Sequence, residues 1–143
     1  MRTMERFVTS ARPETIWQVL TDVEHWPNWT PTVTQVEPLD NDGLRIGAQY
    51  RVTQPQLRPA VYEVTDCTPE KVFTWVQRFP GGVMVADHRI GAWTGSTEVE
   101  LSFRSEGLVG GLMGMIFSRK IREYVATEAR SLKQRSESLM SLR

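Results

Sequence analysis

The sequence lacks most of the features by which small proteins are held together through covalent bonds or metal ions. Its single cysteine, Cys67, excludes an internal disulfide and favours a reducing compartment, so we expect a cytoplasmic protein. The two histidines, Cys67 and the seventeen acidic residues show no zinc-finger or His-x-x-x-His spacing. We therefore predict no metal site and no metal or nucleotide cofactor.

Long apolar segments and an excess of charge are also lacking. The longest mostly apolar run, Gly107–Phe117, is too short to cross a hydrocarbon layer of about 30 Å, so stable membrane insertion is not expected. Seventeen basic residues balance seventeen acidic ones, which gives a net charge of zero. This balance argues against a nucleic acid or an anionic membrane as the dedicated partner.

What is present is an ordinary globular composition, with 40% apolar and 24% charged residues in a chain of 143 residues. This length predicts one domain over residues 1–143 with one hydrophobic core. A monomer and a homodimer are both compatible with these numbers.

The first part of the chain predicts a strand over Glu5–Thr9 and two short helices. Pro13 suits the first turn of a helix over Pro13–Leu20. The second helix must end near Trp26-Pro27, because proline disfavours the helical conformation of the preceding residue.

Further along the chain, apolar and polar residues alternate in segments that are separated by turn residues, which is typical of strands. The six predicted strands are Thr32–Leu39, Gln49–Gln54, Val61–Asp66, Val72–Phe79, Met84–Ile90 and Thr97–Arg104.

The end of the chain predicts the longest helix, from about Val109 to Leu142. Short connections make neighbouring strands antiparallel, and a seven-stranded sheet must bury one face. Only this helix is long enough to cover that face. We predict an α+β architecture in which the sheet curves around the long helix and two short helices close one end. A cavity then remains between sheet and helix.

Strand alternation predicts which side chains face that cavity. His88 is the only polar member of the face that it shares with Met84, Ala86 and Ile90. A histidine in such a place is either a core residue whose nitrogens are hydrogen-bonded or a group that moves a proton, so His88 is the first catalytic candidate.

Glu128 lies close to the apolar stripe of the long helix, where Arg104 or another basic group is its expected partner.

The expected ligand contacts are aromatic, amide, imidazole and flexible apolar side chains. They are Trp29, Tyr50, Gln54, Tyr62, Trp75, Gln77, His88, Met113 and Phe117. An apolar pocket with a few scattered polar groups is typical of a site that orients a small hydrophobic molecule. The alternative is a sheet packed tightly on its helix, with no void.

Nearly the whole chain resembles the polyketide cyclase/dehydrase-like proteins of the START-like, helix-grip (SRPBCC) superfamily. The resemblance is carried by Ala11-x-Pro13-x-x-x-Trp17-x-Val19-Leu20-Thr21-Asp22-Val23-Glu24-x-Trp26-Pro27-x-Trp29, Tyr62-x-Val64-Thr65, Pro69-x-x-x-Phe73-x-Trp75 and His88. It implies the helix-grip fold and a cavity for a hydrophobic ligand. It does not specify an activity, because this superfamily reuses one cavity for many ligands.

The resemblance also raises the question of catalysis. In aromatase/cyclases of this superfamily, an inward arginine and tyrosine hold and polarise the polyketide. In this chain, strand alternation predicts that Arg51 and Arg78 point away from the cavity, so neither is assigned this catalytic role. A bulge between Gln54 and Pro59 would reverse that prediction. Whether the protein is an enzyme stays open at this point.

Three functions fit the sequence. The leading hypothesis is binding of a small hydrophobic molecule, aromatic, polyketide-like or lipid-like, with cyclase or dehydratase chemistry as its catalytic form. The second is a non-catalytic carrier or chaperone for a lipid or quinone. The third is a protein-interaction module without a ligand, which predicts an exposed apolar patch around Leu108–Phe117.

Overall fold

Residues 1–142 are described by a computed structural model, in which seven strands form one antiparallel sheet. The strands are β1 (Arg2–Thr9), β2 (Gln35–Pro38), β3 (Gln49–Thr53), β4 (Ala60–Thr68), β5 (Val72–Phe79), β6 (Gly82–Trp93) and β7 (Ser96–Glu106). The helices are α1 (Pro13–Thr21), a 3₁₀-helix (Val23–Asn28), α2 (Leu108–Ile116) and α3 (Ser118–Ser141). The strand order β1-β7-β6-β5-β4-β3-β2 places the first strand beside the last. The predicted α+β helix-grip architecture is confirmed.

The two halves of α3 have different surroundings. The C-terminal half packs against β1 and α1, where Ala129, Leu132 and Ser136 are buried. Thr9 of β1 donates a hydrogen bond to Glu137 at 2.6 Å and fixes this end. The N-terminal half is only partly buried, and its inward residues line a cavity instead of packing on the strands.

The prediction of one unbroken C-terminal helix was wrong. The helix is divided at Phe117, which ends α2 and precedes α3. The buried residues of α2 are Gly110 and Gly114, which bring its backbone close to the start of β6 and the end of β7. α3 contacts β1 and α1 instead. Apolar spacing alone does not reveal the interruption, because it continues on both sides of Phe117.

The strands differ from their predicted bounds mainly at the ends. β2 is shorter than expected, while β6 and β7 extend to a tight turn at Thr94-Gly95, where both residues have positive φ angles. The irregularity in the sheet lies between Val64 and Asp66 of β4. It does not lie in the connection before β4, so the alternation of β3 keeps its predicted faces.

The core beneath the cavity is built from aromatic rings. The indole N–H of Trp26 donates to the carbonyl of Leu20 at 3.0 Å, which fixes this ring inside the core. Its ring centre lies 5.1 Å from that of Trp75 and 6.4 Å from that of Phe73. Tilted and edge-on pairs at such distances are favourable, so the floor of the cavity is rigid.

Residues 1–142 contain no helix suited to crossing a membrane and no group of side chains suited to a metal ion. None of the helices there is both long and apolar enough to cross a membrane. No three His, Cys, Asp or Glu side chains in that part of the chain are grouped as the ligands of a metal ion would be.

Candidate functional site

A cavity of about 640 Å³ lies between the sheet and the N-terminal half of α3. The sheet contributes Val52, Gln54, Tyr62, Trp75, Gln77, Met84, Ala86, His88 and Phe103. The helices contribute Trp26, Met113, Phe117, Lys120, Ile121, Tyr124, Val125 and Glu128. Its size lies within the range of pockets that enclose small organic molecules, about 300–1,000 Å³.

The position of His88 follows from the alternation of β6. Met84, Ala86 and His88 all point to the cavity, and their partners on β5 are Gln77, Trp75 and Phe73 in that order. His88 lies four residues from Met84, a distance of about 13 Å along a strand. Because α2 contacts the start of β6, His88 lies at the end of the cavity remote from α2.

The imidazole of His88 is held on both sides. Its Nδ1 lies 2.8 Å from the carbonyl oxygen of Phe73, and its Nε2 lies 3.2 Å from Oε1 of Glu128. The ring stacks on Phe73 at 5.3 Å and meets the edge of Trp26 at 5.6 Å. The side chain of His88 is 4% exposed and that of Glu128 is 17% exposed. His88 therefore has one orientation, with Nε2 directed towards the cavity carboxylate.

This geometry fixes where the protons lie. A carbonyl oxygen only accepts hydrogen bonds, so Nδ1 of His88 carries a hydrogen and donates it to Phe73. The contact between Nε2 and Glu128 is a hydrogen bond only when one proton lies between the two atoms. Together, His88 and Glu128 form a hydrogen-bonded pair at the inner end of a mostly apolar cavity.

Tyr62 adds a neutral donor to the same cavity. Burial raises the pKa of its phenol to about 12, and the negative charge of Glu128 adds to the effect. The hydroxyl therefore keeps its hydrogen at neutral pH. It is able to donate to an oxygen atom of a bound molecule.

The connection between β3 and β4 forms one rim of the cavity, with Gln56, Leu57, Arg58 and Pro59 in its wall. Two side chains of α3 hold this segment. The hydroxyl of Tyr124 donates to the carbonyl of Pro55 at 2.5 Å, and Nζ of Lys120 donates to the side-chain oxygen of Gln56 at 2.5 Å. The rim and the helix are thus joined across the cavity edge.

Seven of the nine predicted ligand contacts lie in the cavity wall. They are Gln54, Tyr62, Trp75, Gln77, His88, Met113 and Phe117. The amide of Gln54 also donates to the carbonyl of Thr32 at 3.2 Å, which limits its freedom to bind another group. Strand alternation was sufficient to bring these strand residues to one face.

Trp29 and Tyr50 do not line this cavity. Trp26 occupies the wall position expected for Trp29, because its indole is fixed to Leu20; Trp29 lies 5.5 Å away, beside a smaller cleft of about 220 Å³ near α1. Tyr50 is buried beneath the wall, with its ring 6.1 Å from that of Trp75. It faces the predicted side of β3 but lies too deep to reach the void.

The sequence predicts Arg104 or another basic group as the partner of Glu128, and the structure gives another basic group. Arg104 pairs with Glu106 on the outer surface, and the group that meets Glu128 is His88. The sequence does indicate that Glu128 faces the sheet, because it continues the helical spacing of Ile121, Val125 and Leu132, where an apolar side chain would be expected.

Trp26 was missed as a wall residue because both tryptophans beside Pro27 are equally apolar. Tyr124 was missed because the break at Phe117, which sets the direction of α3 over the cavity, has no periodic signature in the sequence.

Three other side chains discussed above lie outside the cavity. Arg51 and Arg78 are exposed, and Arg78 forms an ion pair with Glu63 at 3.2 Å, so strand alternation predicted the orientation of both arginines correctly.

Burial raises the pKa of the Cys67 thiol, and the neighbouring charge of Asp66 raises it further. The reactive thiolate form is therefore disfavoured at neutral pH.

Comparison with known proteins gives one family and many structures of the same fold. The model of the family described as polyketide cyclase/dehydrase and lipid transport matches residues 1–137. No curated protein sequence matches the chain.

Three solved structures illustrate the fold. A hypothetical protein, jhp0584 from Helicobacter pylori, shares 9% identity with a TM-score of 0.80, over 95% of this chain and 88% of that one. TTHA0849 from Thermus thermophilus shares 15% identity with a TM-score of 0.76, over 97% and 99%. Ara h 8.0201, an allergen of the Bet v 1 type, shares 9% identity with a TM-score of 0.75, over 96% and 98%. At such identities these likenesses show the fold alone.

Proposed function

The chain belongs to the polyketide cyclase/dehydrase and lipid transport family, and from this premise we propose that it binds a small hydrophobic molecule in the cavity between sheet and α3. One observation carries the proposal. A mostly apolar cavity of about 640 Å³ contains, at its inner end, the hydrogen-bonded pair of His88 and Glu128.

The wall indicates the chemistry of the ligand. Trp26, Trp75 and Phe103 offer flat apolar surfaces, which favour rings or a long hydrocarbon chain. The hydroxyl of Tyr62 and the second carboxylate oxygen of Glu128 favour a polar ligand atom at the inner end, because hydrocarbon there would leave them without partners. The ligand class that satisfies both is an aromatic, polyketide-like or lipid-like molecule whose buried end carries a carbonyl or hydroxyl group.

The test is a substitution that fills the cavity without removing a polar group. Ala86 lines the cavity, while Ala92 lies on the same strand and is exposed, so Ala86→Phe and Ala92→Phe form a matched pair. Binding of naphthols, medium-chain fatty acids and short-chain quinones would be measured by isothermal titration calorimetry. We expect at least one class to bind wild type and Ala92→Phe, and Ala86→Phe to lose that binding. Equal binding by all three proteins would contradict the proposal.

A second candidate function, proton transfer of the cyclase or dehydratase type, is favoured by the fixed orientation of His88. With Nδ1 donating to Phe73 and Nε2 donating to one oxygen of Glu128, the other carboxylate oxygen of Glu128 is the atom that accepts a proton from a carbon next to a ligand carbonyl. The electron pair of the broken C–H bond moves onto the carbonyl oxygen, where Tyr62 is able to donate. His88 holds the carboxylate of Glu128 in position through Nε2.

Hydrogen exchange separates this candidate from a carrier that only binds. The probe is 1-tetralone in heavy water, with exchange of its α-hydrogens followed by NMR. Catalysis predicts exchange faster than without protein, and its loss in Glu128→Gln while 1-tetralone still binds. Binding of 1-tetralone with no acceleration by wild type would instead identify a non-catalytic carrier.

A further inference from the structure

The helix α2 is turned outward. Its two buried residues are Gly110 and Gly114, whereas its large apolar side chains face away from the protein. Leu108 is 93% exposed, Met115 is 72% exposed and Ile116 is 67% exposed. A helix that packs on a domain normally buries its apolar side chains, so this arrangement reverses the usual one.

Close backbone contacts keep α2 in this orientation. The backbone of Gly110 lies against Gly82 at the start of β6, and a Cβ atom placed on Gly114 would overlap the hydroxyl oxygen of Ser105. No other residue fits at Gly114 without displacing the helix. The helix therefore cannot roll to bury its apolar side chains, and their exposure is a fixed property of the fold.

Positive charge follows immediately. Residues 107–122 contain Arg119, Lys120 and Arg122 and no acidic residue, which gives a local charge of +3 within a chain of net charge zero. The ion pairs that α3 forms within residues 1–142 join His88 to Glu128 and Lys133 to Glu137. The exposed guanidinium groups of Arg119 and Arg122 thus face solvent beside the apolar helix.

The same segment reaches the cavity. Met113 of α2 and Phe117 at the junction with α3 both line the cavity, and Phe117 is also 38% exposed. An apolar molecule leaving the cavity beside these residues would meet the apolar surface of α2. The outward helix and the cavity therefore form one continuous apolar region.

We propose that α2, together with the basic start of α3, is a docking surface for an anionic lipid bilayer. Nine helical residues span about 14 Å, so α2 lies in the plane of the interface with its apolar side chains among the acyl chains. Arg119 and Arg122, which are exposed, contact anionic headgroups. A second copy of the chain fits this surface poorly, because a two-fold contact through α2 would bring the cationic segments of both copies together.

Vesicle co-sedimentation tests the apolar part of this surface. Wild-type protein is expected to bind vesicles of phosphatidylcholine with phosphatidylglycerol, to bind pure phosphatidylcholine vesicles weakly, and to dissociate as salt concentration rises. Ile116→Gln should lose binding, whereas Ile46→Gln should not. Ile46 is the matched control because it is 65% exposed, close to the 67% of Ile116, but lies far along the sequence from α2.

A second pair of variants tests the charged part. Replacing both Arg119 and Arg122 with glutamine should weaken binding to anionic vesicles about tenfold or more, whereas replacing Arg130 and Arg135 on the same helix should have little effect. Equal losses from both double variants would overturn the proposal. The proposal would also be overturned if wild-type protein did not bind vesicles and instead formed a dimer that the Ile116→Gln substitution dissociates.

The docking surface and the cavity are tested separately, because Ala86 lies in the cavity wall and not on α2 or at the start of α3. Ala86→Phe should therefore bind anionic vesicles as wild type does. Retained docking with lost ligand binding would separate this inference from the proposed function.

Discussion

At the scale of single residues, Glu128 is the side chain whose presence is hardest to explain by folding alone. It replaces an apolar residue in the stripe that α3 turns towards the sheet, and its carboxylate is 17% exposed. Burying a charged pair contributes little net stability, because the loss of hydration offsets the attraction between the partners. The pair of His88 and Glu128 is more readily explained by what it does to a ligand.

The double variant His88→Leu/Glu128→Leu tests this interpretation. We expect the free energy of unfolding, measured with urea, to stay within about 2 kcal/mol of wild type, because replacing both partners with apolar residues leaves neither member of the pair buried alone. Affinity for an oxygen-bearing cavity ligand should fall. A loss of stability of more than about 2 kcal/mol would show that the pair holds the fold together.

Tyr62 provides a prediction about alkaline pH. Burial raises its pKa from 10.0 to about 12 in the folded protein, so the folded state keeps a proton that the unfolded chain releases between these values. The associated stability is fully present below pH 10 and is lost as the pH rises towards 12. A shift of this size corresponds to at most about 3 kcal/mol.

Urea unfolding across the interval between these two pKa values measures this effect. Tyr62→Phe should lose less stability across the interval than wild type. Tyr124→Phe should behave more like wild type, because the Tyr124 phenol is partly exposed. Identical pH profiles for wild type and Tyr62→Phe would contradict the assignment.

The sequence predicted some of these residue positions for a simple reason. Alternation along β5 and β6 assigns Trp75, Gln77 and His88 to one face, and no bulge disturbs that alternation. The choice between Trp26 and Trp29 depends on a single hydrogen bond from an indole to Leu20. No pattern in a single sequence reports such a bond.

At the scale of elements, the division between α2 and α3 decides the shape of the site. α2 approaches the sheet through glycines, and the first half of α3 covers the cavity. Strand positions were predictable because their period is strict. The break at Phe117 was not, because it results from a tertiary contact of Gly110 and Gly114 rather than from local preference.

Two glycines of α2 form a matched pair for testing that contact. A Cβ atom on Gly114 would clash with Ser105, whereas one on Gly111 would have no atom within 4 Å. Gly114→Ala should therefore lower the free energy of unfolding by about 1–3 kcal/mol. Gly111→Ala should raise it by up to about 1 kcal/mol, because alanine favours the helix. Thermal and urea unfolding of both variants would measure this, and changes of the same sign would contradict the packing described.

At the scale of the whole molecule, the fold could be predicted because only a few folds are compatible with this order of strands and helices. Short connections force antiparallel neighbours, and only the C-terminal helical segment is long enough to cover the sheet. The identity of the ligand is not encoded in the same way. Trp75 and Phe103 would serve rings and hydrocarbon chains equally well, so the chemical class must come from the molecule that occupies the cavity.

Native mass spectrometry of protein purified without denaturation tests the central claim most directly. Wild type and Ala86→Phe would be compared, and any bound molecule would be extracted and identified. The account predicts a stoichiometric apolar ligand on wild type that is absent from Ala86→Phe. Identical ligand-free masses for both proteins, with no uptake of naphthols, fatty acids or quinones by wild type, would contradict it.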